Sequence, residues 1–302
     1  MIIKQNRLIQ DCKAYSTIRI EPYNLVFDGF PITPCCVYNK PIGILTKNDI
    51  LNNNVFNVIT DIYKNPALKI HFKDQCYTVG IDIKRVMESY QSKCDFNKNR
   101  LTNIDISCTR TCNLNCTMCR NNVITESDND YFYFLILKQL KGHNLEQISL
   151  NKNGEPFYHK KETMDYIKSL KYDSDCKILS IISNLTLLND NDIYDLIDIE
   201  KNNHIKINIT ASIDGITEET YKKIRRNNLF NKVIHNVELL ANNNILNIIN
   251  FVISEENIHE FELAEDFWHN INKDLCVYFI PKDYNKDYYN LIKTYYTNRY
   301  NL

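Results

Sequence analysis

From Leu101 onward the chain alternates short apolar runs with longer amphipathic ones, and no other feature restricts its fold as much. The short runs predict strands at 103–108, 147–150, 177–182, 205–211, 247–253 and 275–280. Between and after them, helical spacing predicts helices at 130–141, 161–170, 190–197, 218–240 with a break near Asn227, 258–270 and 288–299. Repeated βα units of this kind build a parallel sheet with an α/β fold. Six of them suit a partial (β/α)6 barrel, more open than an eight-unit one. In such architectures the chemistry gathers at the carboxyl ends of the strands, so candidate functional residues are sought there.

At 302 residues the chain has room for one large α/β domain and a smaller one. Its net charge of −1, from 36 basic and 37 acidic residues, makes no general demand for nucleic acid or an anionic membrane. No apolar run reaches the roughly 18 residues that a membrane span needs, and MIIKQNRLIQDCK carries no signal-peptide core. Eleven cysteines in such a chain fit a reducing, cytoplasmic setting in which thiols serve metal rather than disulfides. No GxGxxG, P-loop, HExxH or GxSxG pattern occurs, which weakens hydrolase and zinc-protease readings.

The first strand of the alternating region runs out into SCTRTCNLNCTMCR, where Cys112, Cys116 and Cys119 stand as C-x3-C-x2-C. Three thiolates on one short loop can hold three corners of an iron–sulfur cube and leave a fourth iron without a protein ligand. Zinc is one alternative, but it usually takes a further Cys or His close by, and this loop offers none. Three unrelated core cysteines are the other. Cys108, Cys176 and Cys276 fall in or beside strands and read as small core hydrophobes. The seven histidines form no ligand-like spacing.

The triad spacing, with Met118 just before the third cysteine, resembles the signature of the radical SAM superfamily. The resemblance implies a TIM-type partial barrel and a [4Fe-4S] cluster on Cys112, Cys116 and Cys119. Its open iron would bind the amino and carboxylate groups of S-adenosyl-L-methionine, and one electron would break a carbon–sulfur bond to give a 5′-deoxyadenosyl radical. Gly154-Glu155, at the end of the second strand, resembles the family's Gly-Gly-Glu motif that contacts the SAM amino group, with Asn153 replacing the first glycine. An ordinary turn explains that tripeptide about as well. Ser183-Asn184-Leu185 stands where relatives often read Ser/Thr-Asn-Gly, which implies a contact with the SAM ribose or carboxylate; a plain loop start is the alternative. Ser212-Ile213-Asp214-Gly215, followed by Tyr221 and Arg225, resembles a run in radical SAM enzymes with auxiliary clusters. There Ser212 and Asp214 would meet SAM or substrate, and the planar fork of Arg225 would pair with the methionine carboxylate. Thr217, Glu218 and Glu219 also read as a capped helix start. Val252-Ile253 reads as core, with a place beside the adenine as the alternative.

Residues 1–98 carry a second cysteine pattern: Cys12, Cys35-Cys36, Cys76 and Cys94. With an alternating stretch to Ile20, a turn at Asp28-Gly29, a strand at 43–45 and an amphipathic segment at 55–63, the order resembles the SPASM or twitch auxiliary-cluster module. It implies a small cysteine-rich α+β module before a radical SAM core at 99–302. Lys73 stands where one further cysteine belongs. The resemblance leaves three outcomes open: an auxiliary cluster on Cys12, Cys35, Cys76 and either Cys36 or Cys94; a three-ligand cluster with one open iron; or a module that keeps its fold without a cluster. Neighbouring strand residues point to opposite sides, which favours Cys35 over Cys36. By the same resemblance the chain is an enzyme that takes hydrogen from a peptide or protein side chain, or from a sugar, nucleotide or cofactor precursor, with flavodoxin or ferredoxin as electron donor. A non-catalytic iron–sulfur protein is the reading from another class, and nucleic-acid modification ranks below both.

Overall fold

A computed structural model of the chain describes residues 17–20, 28–33, 41–64, 101–106, 109–119, 130–150 and 154–300. The second half follows the expected alternation closely. Strands β4 (Asn103–Ile106), β5 (Gln147–Leu150), β6 (Ile178–Ser183), β7 (Lys206–Ser212), β8 (Leu246–Ile253) and β9 (Cys276–Pro281) lie side by side in chain order, every pair parallel. Between them run α3 (Asp130–Leu140), α4 (Lys160–Ser169), α5 (Asp190–Asn202), α6 (Glu218–Arg225), α7 (Phe230–Asn242) and α8 (Phe261–Ile271), and α9 (Lys286–Tyr300) follows β9. The strand expected at 103–108 is described to Ile106, and Cys108 lies outside the described residues.

Three earlier strands belong to the same sheet. Strand β1 (Thr17–Ile20) pairs in parallel with β4, placing Ile18 opposite Ile104 and Ile20 opposite Ile106. Strands β2 (Gly29–Thr33) and β3 (Gly43–Thr46) continue it antiparallel, so the nine described strands run β3-β2-β1-β4-β5-β6-β7-β8-β9. Two helices, α1 (Lys47–Leu51) and α2 (Val55–Lys64), follow β3. The domain boundary expected at residue 98 falls outside the described residues, as do Cys12, Cys35, Cys36, Cys76 and Cys94. Of the described part of the first hundred residues, β1 is hydrogen-bonded directly onto the strand that leads into the cysteine triad.

Burial explains how the sheet is used. Along β6 and β7 every second residue is buried, and the buried set (Leu179, Ile181, Ile207, Ile209, Ala211) joins one core with Ile136, Leu137, Ile167, Leu196 and Val237 of the helices. Right-handed crossovers place consecutive helices on one face, which is why those residues are apolar. The opposite face carries a polar row in register: Asp105, Ser149, Ser180 and Asn208. A parallel sheet covered on both faces would read as a continuous apolar run instead.

Local chemistry sets the helix ends that matter for the site. Thr217 caps α6 by accepting from the Thr220 N–H, Glu218 and Glu219 fill its first turn, and Lys222, Lys223 and Arg225 fill its last. Arg226 then turns left-handed (φ 55°), and Asn227 Oδ1 accepts the Leu229 N–H at 2.9 Å. This is the break expected near Asn227. The expectation for Cys276 needs correction: it opens β9 exposed, because Val277 and Phe279 take the buried register, whereas Cys176 is buried as expected.

Candidate functional site

The cysteine loop leaves β4 and is gripped at both ends by the units that follow. At the Cys112 end, Gly154 lies against the loop's backbone with φ +70°; a Cβ there would stand 2.5 Å from the Thr109 carbonyl oxygen and 2.6 Å from that of Thr111. Glu155 N–H donates to the same Thr111 carbonyl at 2.8 Å. Glycine is required here both for the left-handed backbone and for the close approach. At the Cys116 end, Thr117 N–H donates to the Ile224 carbonyl at 2.9 Å, in the last turn of α6. That carbonyl belongs to the set a helix leaves without internal partners, so the loop closes the helix end.

Cys112 and Cys116 are half-buried, Cys119 is exposed and Met118 is half-buried. Burial pushes the Cys112 thiol up to about 11 against the Leu114 N–H that donates to it, and Glu155, Cys116 and Cys119 are near enough to raise it further. Burial also raises Cys116, opposed by Arg225. Thiols in such surroundings become thiolates beside a cation, and three soft donors that share one electrostatic neighbourhood suit an iron–sulfur cluster. Among the described residues no three Cys, His, Asp or Glu side chains converge as a single metal ion needs.

Glu155 is 2 % exposed and held by three donors. Its Oε1 accepts from Ser183 Oγ at 2.7 Å and the Phe157 N–H at 3.2 Å, and its Oε2 accepts from the Asn184 N–H at 2.8 Å. Burial raises its pKa and these donors pull it back. Ser183 and Asn184 therefore meet Glu155 directly. The Asn184 amide also reaches Asn113 Oδ1 at 3.1 Å and points toward Cys112 Sγ at 3.9 Å, so the end of β6 touches the triad loop. Leu185, where the family pattern has glycine, keeps a left-handed backbone (φ 61°) at a cost on the order of 1–2 kcal/mol. Its carbonyl is fixed by Asn236 Nδ2 at 2.9 Å.

Ser212 is half-buried at the end of β7. Asp214, expected to meet SAM or substrate, is instead fully buried, and its carboxylate accepts the Val252 N–H at 2.7 Å and lies 2.5 Å from Arg225. Burial raises its pKa while the guanidinium opposes that rise. Arg225 is itself buried, and its Nη1 lies 3.8 Å from Cys116 Sγ. Ile253 is core, as expected.

One cluster escaped the sequence reading. Asp130 Oδ2 accepts from Thr109 Oγ1 at 2.7 Å and Thr111 Oγ1 at 2.9 Å, and His159 Nε2 lies 2.7 Å away. Both threonines are buried just before Cys112. The alternation Thr109-x-Thr111 ahead of a cysteine loop, with an aspartate opening the next helix, was the available signal.

The described geometry is that of an α/β protein with a cysteine triad at the carboxyl ends of its parallel strands, beside a buried glutamate. Neither a protein-family model nor a curated protein matches the chain. Among solved structures it is similar to hexahistidine-tagged anSMEcpe with bound AdoMet, at 18% identity and a TM-score of 0.46, over 60% of this chain and 51% of that one. It is also similar to native anSMEcpe with bound AdoMet and Cp18Cys peptide, at 18% identity and a TM-score of 0.43, over 60% of this chain and 50% of that one. The chain spans about half the length of the structures it matches.

Proposed function

We propose that the chain is a radical SAM enzyme whose cysteine loop carries a [4Fe-4S] cluster on Cys112, Cys116 and Cys119. The observation that supports this best is the double grip on the loop, with Cys112 near Glu155 at one end and Cys116 near Arg225 at the other. Cys112, Cys116 and Cys119 would hold that cluster, and the chemistry it would supply when bound is one-electron reductive cleavage of S-adenosylmethionine for hydrogen abstraction from the substrate. The protein's part is to orient and to exclude water. Ser183 and Asn184 hold Glu155 in place, and in this reading Gly154 and Glu155 would face the SAM ammonium group, with Ser212 and Met118 at the same mouth.

The substrate we propose is a peptide or protein side chain, on the resemblance of the N-terminal cysteine order to auxiliary-cluster modules. That module would hold its cluster through Cys12, Cys35, Cys76 and either Cys36 or Cys94, with electrons from a flavodoxin or ferredoxin in a cytoplasmic, reducing setting. Among the described residues no helix is long and apolar enough to cross a membrane.

The test is anaerobic reconstitution followed by incubation with SAM and dithionite. The unsubstituted chain is expected to release 5′-deoxyadenosine, Cys116→Ala to release none, and Cys12→Ala to cleave SAM with less product formed on substrate. Iron content of about eight per chain is expected with both clusters and about four with one. No 5′-deoxyadenosine from the reconstituted chain overturns the reading in favour of a non-catalytic iron–sulfur protein.

A further inference from the structure

Arg225 is met by two partners, a carboxylate and a cysteine sulfur. One terminal nitrogen, Nη2, lies 2.5 Å from Asp214 Oδ2; the other, Nη1, lies 3.8 Å from Cys116 Sγ. Neither partner is loose. Asp214 is wholly buried and tied to the Val252 N–H, while its own carbonyl accepts from Asn257 Nδ2 at 2.8 Å. Cys116 is followed by Thr117, whose N–H is bonded to the carbonyl of Ile224, the residue next to Arg225. A guanidinium so placed cannot swing out to a ligand carboxylate without leaving Asp214 as an unpaired buried charge, which is strongly unfavourable.

We propose that Arg225 is a positioning residue for Cys116: anchored by Asp214, it donates to the cysteine sulfur and stabilises negative charge there, in place of gripping the methionine carboxylate of SAM. This rests on the cluster reading above. A donor and a positive charge beside a ligand sulfur favour the reduced form of an iron–sulfur cluster and raise its potential. Asp214 cancels much of the arginine's charge at longer range, so the effect is concentrated on the Cys116 corner.

The experiment compares the reconstituted chain with Arg225→Lys, Arg225→Gln and the double variant Asp214→Asn/Arg225→Gln. Three quantities are read: iron per chain, the cluster's midpoint potential without SAM by EPR-monitored titration, and SAM affinity. Arg225→Gln is expected to shift the potential negative, with Arg225→Lys recovering part of the shift. The double variant is expected to shift less, because a buried anion leaves with the cation. It also keeps the pair neutral, so it carries the measurement if Arg225→Gln fails to fold. Potentials unchanged from the unsubstituted chain at full iron content overturn the proposal. Loss of SAM affinity with an unchanged potential overturns it too, and returns Arg225 to the carboxylate clamp. If the unsubstituted chain takes up no cluster, the cluster reading itself has failed, and that result is separable because it needs no variant.

Discussion

Gly154 makes the sharpest residue-scale prediction. Alanine there meets a positive φ and two carbonyl oxygens at once, so Gly154→Ala is expected to destabilise by at least about 1–2 kcal/mol and to lower iron retention. Urea unfolding with iron analysis checks both. Asp130→Ala strips the shared acceptor from two buried threonine hydroxyls, at an expected cost of about 1–3 kcal/mol with weaker cluster retention, read in the same two assays. The cysteine loop and the Gly-Glu pair beside it were legible in the sequence because spaced thiols and close backbone approach demand particular residues at particular positions. The buried partners of Asp214 were not legible. The run Ser212-Ile213-Asp214 identifies a strand end, but only the fold decides that this carboxylate turns inward to Arg225 and Val252 rather than out to a ligand. Likewise, histidine spacing could not disclose that His159 meets Asp130, because their contact depends on how α3 and α4 pack.

At the scale of elements, α6 couples an ordinary cap to the cysteine loop. Thr217 accepts the Thr220 N–H and donates to Glu260, whose other carboxylate oxygen accepts the Ile216 N–H at 2.8 Å. Thr217→Ala is therefore expected to cost roughly 0.5–2 kcal/mol, and to loosen the last turn that bonds Thr117. Denaturant titration would show the first effect. Faster exchange of the Thr117 amide would show the second, and unchanged exchange would mean that the cap and the loop are independent. Strands β4 to β9 and their helices were readable because apolar spacing differs between period two and period 3.6. The 218–240 stretch broke where expected, at a left-handed arginine and an asparagine that bonds its own chain. The polar row Asp105, Ser149, Ser180 and Asn208 on the face away from the helices was written in the same alternation, yet its alignment across four strands needed the register.

For the molecule as a whole, cysteine order suggested a module followed by a core, and the hydrogen bonding adds that β1 is a direct neighbour of β4. Sequence patterning gives each strand its period but does not say which distant strand it will sit beside. A fragment beginning at residue 99 would leave the edge of β4 without its partner, and edges of that kind recruit other chains. Such a fragment is expected to aggregate or run as an oligomer on size exclusion; a well-behaved monomer would show that the first strands are dispensable for solubility. The β1–β4 adjacency also has a consequence for biosynthesis. A ribosome completes the β1–β2 pair long before it reaches the strand that must lie alongside it, so the nascent chain carries an unsatisfied apolar margin until the half with the cysteine triad has emerged.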